Sequence, residues 1–150
     1  MKKEMYCFNC DKDVKVKTLK EEREYTIHNN KVKIMENVNY CPICHEELID
    51  ENLEEDLYNI YNEYLNMYNL SFDKFKEIRE SLNLSQELFA KALGWSKKTI
   101  VRYENKQTLP QVEYLLVYKK IDNNKLEFLK ILEDRRNILG DEEYYTILNR

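Results

Sequence analysis

The chain has 150 residues, of which 43% are hydrophobic, so it is long enough for one ordinary domain or two small ones. No stretch approaches the roughly 20 apolar residues of a membrane span, and the first residues lack the apolar run of a secretory signal. The sequence therefore predicts a cytoplasmic protein without a membrane partner. The formal net charge of −4 excludes a uniformly basic protein, although a local basic face can still bind phosphate.

Charge is distributed unevenly along the chain. Residues 1–45 and 71–110 carry net charges of +2 and +3, residues 46–70 carry −8 without a single Lys or Arg, and residues 111–150 carry −1. Segments of opposite charge predict a modular chain, and the positive segments are the ones suited to nucleic acid.

Hydrophobic residues at every second position predict β-strands in the first part of the chain. Val14 and Val16 alternate with lysines, and a second alternating run begins near residue 31. We expect strands near 13–20, 23–28 and 31–39. A hairpin turn is predicted at Asn29 and Asn30, because asparagine tolerates the left-handed conformations of tight turns.

A helical period predicts an amphipathic helix over residues 51–68. Its apolar positions form one stripe, which comprises Leu53, Leu57, Ile60, Tyr61, Tyr64, Leu65 and Tyr68. Asp50 or Asn52 is expected to cap the N-terminus, where the helix dipole favours the acidic residues. The opposite face is acidic, so the helix is interpreted either as a solvated connector or as a docking face for a basic partner.

Helices are also predicted through the rest of the chain. Short helices with tight connections are expected over 72–109, followed by helices over 112–120, 124–136 and 141–150. The apolar positions of the helices over 112–120 and 124–136 are Leu115, Leu116, Tyr118, Ile121, Leu126, Phe128, Leu129, Ile131 and Leu132. These two helices either complete the core of the preceding ones or form a dimer interface, and we expect a mixture of both.

Four cysteines form two CxxC pairs that are separated by 30 residues, namely Cys7, Cys10, Cys41 and Cys44. Two residues between thiols let both sulfurs of a tight knuckle face one ion, and a hairpin between the knuckles completes a tetrahedron of thiolates. The predicted strands lie between the pairs and supply that hairpin. We therefore expect a structural Zn²⁺ site, because four cysteine ligands leave no open position for a catalytic water.

Other interpretations of the cysteines are a rubredoxin-like iron site, two redox dithiols, and c-type haem attachment at the CxxCH sequence of residues 41–45. Neither CxxC lies in a βαβ pattern, and haem would leave the other CxxC unexplained. His28 and His45 are expected to be surface histidines, and His45 is also a candidate substitute ligand.

The segment from Leu82 to Asn105 carries the strongest functional pattern. Ser85 is expected to cap a short helix that ends at Gly94, where glycine allows the left-handed conformation of a sharp turn. Ser96 is expected to cap a second short helix with an apolar inner face. Its outward positions are Lys97, Lys98, Thr99 and Arg102. Such a helix suits the major groove of DNA, and the alternative is a helix-turn-helix used only for protein contacts or core packing.

This segment resembles the lambda-repressor-like (XRE) family, whose pattern is roughly L-S-Q-x-x-L-A-x-x-x-G-x-S-x-x-x-I-x-x-[WY]-E-x-G. The resemblance implies that Gln86 contacts phosphate and that Glu104 is a structural acid. It also implies that Lys97, Lys98 and Arg102 occupy base-reading positions. Arg102 can pair bidentately with guanine, whereas the two lysines either read guanine or only neutralise phosphate. The predicted DNA-binding set is Gln86, Ser96, Lys97, Lys98, Thr99, Arg102 and Lys106.

Two CxxC pairs, a helical connector and an XRE-type domain within residues 5–110 together resemble the YgiT/MqsA-type antitoxins. The resemblance implies a zinc domain that binds a toxin, and a helix-turn-helix domain that represses its own operon as a homodimer on double-stranded operator DNA. Asp11 and His45 stand where many relatives have Gly, and Lys106 stands where the XRE family usually has Gly.

These observations predict an α+β chain. The expected domains are a four-cysteine zinc-binding β module over 1–50, a helical connector over 51–70, a helix-turn-helix DNA-binding domain over 71–110 and C-terminal helices over 111–150. The predicted function is that of an antitoxin and autorepressor in a type II toxin–antitoxin system, and the alternative is a stand-alone phage or mobile-element repressor. Enzymatic activity is not expected, because the sequence has no Gly-rich phosphate loop, no GxSxG and no open zinc site.

Overall fold

A computed structural model describes residues 3–50 and 53–150 of the chain. The chain divides into two compact units, residues 1–64 and residues 65–150. Strands occur in the first unit and helices fill the second, so the predicted α+β class is confirmed. None of the helices in the described ranges could span a lipid bilayer.

Two small antiparallel sheets build the first unit. The first sheet pairs β1 (Glu4–Cys7) with β2 (Lys12–Lys15). The second has the order β3-β4-β5 and comprises β3 (Lys17–Ile27), β4 (Asn30–Tyr40) and β5 (Glu47–Leu48). The turn between β1 and β2 and the connection between β4 and β5 each carry one CxxC pair.

The predicted strand boundaries are partly wrong. Residues 13–20 do not form one strand, because Val16 separates β2 from β3 and donates its N–H to the carbonyl of Lys3 at 3.0 Å. Residues 23–28 are not a separate strand, because β3 continues without a break and pairs with β4 along its whole length. Charged residues in the middle of β3 obscure the period of two, but ladder hydrogen bonds join backbone groups and do not depend on side-chain polarity.

The turn of the β3–β4 hairpin lies one residue earlier than predicted. Asn30 pairs with Ile27, so the two loop residues are His28 and Asn29. Their φ angles are 46° and 66°, and a type I′ turn requires positive values at both positions. Asn29 takes the expected left-handed conformation, whereas Asn30 joins the ladder.

The helix α1 spans Leu53–Asn66 and lies inside the predicted range 51–68. The candidate cap Asn52 is outside the described residues, and the other candidate, Asp50, forms an ion pair with Lys3. Leu57, a member of the predicted apolar stripe, is 47% exposed. Among the stripe residues whose side chains are described, the buried ones are Ile60, Tyr64 and Leu65. The predicted apolar stripe is therefore buried at only some of its positions.

The second unit consists of seven helices within the described residues. They are α2 (Phe72–Ser81), α3 (Gln86–Leu93), α4 (Lys97–Glu104), α5 (Val112–Asn123), α6 (Lys125–Asp134), α7 (Arg136–Leu139) and α8 (Asp141–Leu148). Aromatic side chains fill their core around Tyr118, whose ring centroid lies 4.7 Å from that of Phe75 and 5.9 Å from that of Phe89. Packing of this kind fixes α2, α3 and α5 against one another.

The C-terminal helices contribute to that core with only part of their predicted apolar set. The buried members are Leu115, Tyr118, Ile121, Phe128 and Leu132. Leu116, Leu126 and Leu129 are 46%, 59% and 42% exposed. The buried positions of the two helices thus lie in the helical core, and the dimer interface stays a prediction.

Candidate metal centre and helix-turn-helix surface

Four cysteine side chains converge at one point of the first unit. Cys7 ends β1 and Cys10 lies in the following turn, while Cys41 follows β4 and Cys44 lies in the turn before β5. The four sulfur atoms lie within 4.8 Å of one another, and all four thiols are free of disulfides. The two CxxC pairs therefore come together as predicted, and the cluster could hold one metal ion.

The sulfur spacing fits a tetrahedral thiolate site. The distance between the sulfurs of Cys7 and Cys44 is 3.5 Å, and that between the sulfurs of Cys10 and Cys41 is 3.8 Å. A Zn–S bond of about 2.3 Å gives a tetrahedron with edges of about 3.8 Å, close to both distances. Cys7 and Cys41 are completely buried, whereas Cys10 and Cys44 are partly exposed. Four sulfur donors at this spacing suit Zn²⁺, and neither His28 nor His45 belongs to the cluster.

The residue that follows each CxxC pair has a left-handed backbone conformation. Asp11 has a φ of 53° and His45 a φ of 65°. The N–H of His45 also donates to the carbonyl of Cys41 at 3.0 Å, which closes the second knuckle. Glycine adopts this conformation without strain, so Asp11 and His45 occupy positions that glycine would fit more easily.

Hydrogen bonds and burial affect the cysteine thiols differently. The side chain of Asn9 and the backbone of Glu46 lower the pKa of Cys44 to about 6. Burial, followed by the neighbouring thiols of Cys44 and Cys41, raises the pKa of Cys10 to about 12. The thiol of Cys10 therefore stays protonated near neutral pH unless a cation lies beside its sulfur.

The helices α3 and α4 form the predicted helix-turn-helix. The hydroxyl of Ser85 accepts the N–H of Leu88 at 3.2 Å, and the hydroxyl of Ser96 accepts the N–H of Thr99 at 3.2 Å. Gly94 ends α3 with a φ of 74° in the left-handed region. Both predicted serine caps and the predicted glycine C-cap are confirmed, and together they set the sharp turn between the two helices.

The helix α4 has one buried and one basic face. Ile100 and Tyr103 are buried in the core. Lys97, Lys98 and Arg102 are exposed, and none of them forms an ion pair within the part of the chain that the structure describes. Three cations thus share the outer face of an eight-residue helix, and no anionic partner occurs among the described residues.

The other predicted DNA-contacting residues are partly buried or already bonded to neighbouring side chains. Gln86 is the first residue of α3 and is half-buried. The hydroxyl groups of Ser96 and Thr99 lie 2.9 Å apart and bond to each other. Lys106 follows the last turn of α4, has a φ of 61°, and approaches Asp73 at 3.6 Å. Lys106 also adopts the conformation for which the XRE family uses glycine.

A buried ion pair supports α4, and the sequence did not predict it. Glu104, expected to be a structural acid, accepts hydrogen bonds from the guanidinium of Arg79, and the shortest measures 2.7 Å. These bonds raise the pKa of Arg79, which therefore stays charged. Arg79 also donates to the carbonyl of Leu84 at 2.8 Å. The two residues are 25 positions apart, a separation that no helical period or motif spacing connects.

Residues 75–120 match the helix-turn-helix family HTH_3. The matched segment begins inside α2 and includes α3, α4 and most of α5. No curated protein shows significant sequence similarity to the chain. The family is a DNA-binding regulator domain and not an enzyme family, so the match supports a DNA-binding transcriptional regulator.

Proposed function

We propose that the chain binds double-stranded DNA sequence-specifically as a homodimer and represses transcription, with α4 in the major groove. The observation that carries this proposal is the outer face of α4, where Lys97, Lys98 and Arg102 are exposed without acidic partners in the described part of the chain. The opposite face is fixed in the core by Ile100 and Tyr103, so the cations project from a rigid helix. A rigid, basic, short helix is the element that helix-turn-helix proteins insert into the major groove.

The residues of the DNA surface have different proposed roles. The fork of Arg102 pairs with the O6 and N7 atoms of a guanine, and the lysines contact guanine or phosphate. Gln86 and Lys106 contact phosphate at the edges of the groove. The hydroxyl of Ser96 caps α4 by accepting the N–H of Thr99, and the hydroxyl of Thr99 bonds to that of Ser96. The two residues thereby place the helix N-terminus and its positive dipole end against a phosphate.

The cysteine cluster is proposed to hold one Zn²⁺ ion that stabilises the first unit. When bound, the ion supplies the positive charge that four neighbouring thiolates require. The core beside the cluster is small and contains Val14, Val16 and Leu48 in addition to the cysteines. So few apolar residues stabilise a module of this size weakly, and metal binding would supply the missing folding free energy.

The test of DNA binding is a titration of the full chain with fluorescent duplexes that tile its own promoter. Arg102→Ala is expected to weaken binding to the preferred duplex by about 1–3 kcal/mol, or roughly 5- to 150-fold. Lys130→Ala is the matched control, because Lys130 is equally cationic and lies on α6 with its side chain 70% exposed. Equal affinities for Arg102→Ala and the unmodified chain would remove Arg102 from the base-reading set.

The finer proposal is that the chain is an antitoxin whose zinc module binds a toxin and whose helix-turn-helix represses the shared operon. It is supported by the arrangement of a four-cysteine module before an XRE-type domain, which resembles the YgiT/MqsA-type antitoxins. Co-purification of the tagged chain with the product of the neighbouring gene, together with rescue of growth when both are expressed, is the expected result. A neighbouring product that neither binds nor inhibits growth would favour the stand-alone repressor.

A further inference from the structure

A cavity of about 350 Å³ lies beside the connection between α3 and α4, against the start of α5. Its lining residues are Trp95, Gln111, Glu113, Tyr114 and Val117. None of them belongs to the cysteine cluster or to the basic face of α4. The volume is at the lower end of the range for small-molecule sites, so the cavity can accept a compact ligand.

Two aromatic rings form the wall of this cavity. The ring centroids of Trp95 and Tyr114 lie 4.7 Å apart with an angle of 63° between their planes. Core residues hold both rings, because Trp95 lies 5.6 Å from Tyr118, and Tyr114 lies 6.0 Å from Tyr103. Both rings are half-buried, so part of each surface remains open to a ligand. The two rings thus form an angled surface that exists before any ligand binds.

The charged side chain of this cavity is acidic. Glu113 is exposed and forms no ion pair within the part of the chain that the structure describes, and no Lys or Arg lines the cavity. The faces of aromatic rings also carry negative electrostatic potential, and they attract cations that approach within about 6 Å of the centroid. The carboxylate of Glu113 and the aromatic rings therefore both favour a cationic ligand.

We propose that this cavity binds a small alkylammonium ion, held by cation–π contacts with Trp95 and Tyr114 and by the charge of Glu113. Gln111, the first residue before α5, supplies an amide for a polar group on the same ligand; its side chain makes no capping hydrogen bond to the helix. Trp95 directly precedes Ser96, the cap of α4, so an occupied site would contact the connection that leads into that helix. The proposal does not depend on the DNA-binding role of α4.

The single tryptophan of the chain provides the test, because Trp95 alone reports the site by its fluorescence. Choline is titrated into the full chain at constant ionic strength, and a saturable change in emission is expected. The neutral analogue 3,3-dimethylbutan-1-ol has nearly the same shape without the charge, and it should bind at least tenfold more weakly. Glu113→Gln should weaken choline binding several-fold, whereas Glu142→Gln, an exposed substitution on α8, should leave it unchanged.

Tyr114→Leu removes one ring and should abolish the saturable response, with circular dichroism showing that the helices are retained. An emission change that is absent, or equal for choline and the neutral analogue, would overturn the proposal. Unchanged choline affinity in Glu113→Gln would also contradict it. A response to sulfate but not to choline would show instead that the start of α5 binds anions.

Discussion

The carboxylate of Glu104, at the end of α4, receives three hydrogen bonds of 2.7 to 3.1 Å from the guanidinium of Arg79 on α2. The two side chains are only 3% and 10% exposed. Water cannot easily replace either partner at this depth, so loss of one leaves a buried charge without compensation. The position of α4 therefore depends on an ion pair that is remote from its DNA-facing side.

Glu104→Ala is expected to lower the free energy of unfolding of the helical unit by roughly 3–5 kcal/mol, the usual cost of breaking a buried pair on one side. Urea unfolding followed by circular dichroism at 222 nm measures the change. Glu143→Ala is the control, because it removes the acid from the exposed pair between Lys91 and Glu143, and its effect should be much smaller. Similar losses in both variants would show that the depth of the Arg79–Glu104 pair does not matter.

Cys41→Ser is expected to abolish stoichiometric metal binding, because three thiolates cannot complete the tetrahedral site. The zinc content of the purified full chain, measured by elemental analysis, should fall from about one ion per chain to near zero. Circular dichroism should lose its β contribution while the helical signal persists, and a chelator should reproduce this change in the unmodified chain. Thr18→Ala, which removes an exposed hydrogen bond to Asn39, should retain the metal. Full zinc content in Cys41→Ser would contradict the proposed ligand set.

Much of the candidate site could be predicted because its determinants are local in sequence. Ser85, Gly94 and Ser96 set the helix-turn-helix through contacts that span at most a few residues. The two cysteine knuckles could also be predicted from the sequence, since each requires only two thiols separated by two residues. Turn and cap chemistry of this kind acts within one helical turn, so a single sequence contains all of it.

The remaining features depend on contacts that sequence spacing does not encode. The partner of Glu104 lies on another helix, and only the packing of α2 on α4 brings Arg79 to it. The hairpin turn was misplaced because His28, Asn29 and Asn30 can all occupy a turn, and strand register decides between them. Likewise, the exposure of Leu126 and Leu129 follows from the angle at which α6 packs, which the helical period does not determine.

The affinity for operator DNA is expected to fall steeply as salt concentration rises, because binding releases the counterions of contacted phosphates. Each phosphate contact contributes about 0.9 to the slope of log K against log salt. The double change Lys97→Ala and Lys98→Ala should therefore reduce the slope by about 0.9 for each lysine that contacts phosphate. Lys130→Ala should preserve the slope. A flat slope in the unmodified chain would favour a helix-turn-helix that serves only protein contacts.

Lys106→Gly should increase stability and weaken DNA binding at the same time. Lys106 has a φ of 61°, and a side chain in this left-handed region costs about 1–2 kcal/mol that glycine avoids. The substitution also removes the exposed contact of 3.6 Å with Asp73, so a net gain of up to about 1 kcal/mol is expected in urea unfolding. Asn69→Gly is the matched control, because Asn69 has a φ of 54° and asparagine tolerates this conformation. Glycine should therefore increase stability less at position 69 than at position 106.

The same Lys106→Gly variant separates the two roles of this position. The loss of one phosphate contact should lower the salt slope of DNA binding by about 0.9 and weaken all duplexes to a similar extent. Stability that rises without any change in DNA affinity would place Lys106 outside the DNA surface. Stability that falls would mean that the ion pair with Asp73 outweighs the backbone strain, a result that contradicts the low energies of exposed pairs.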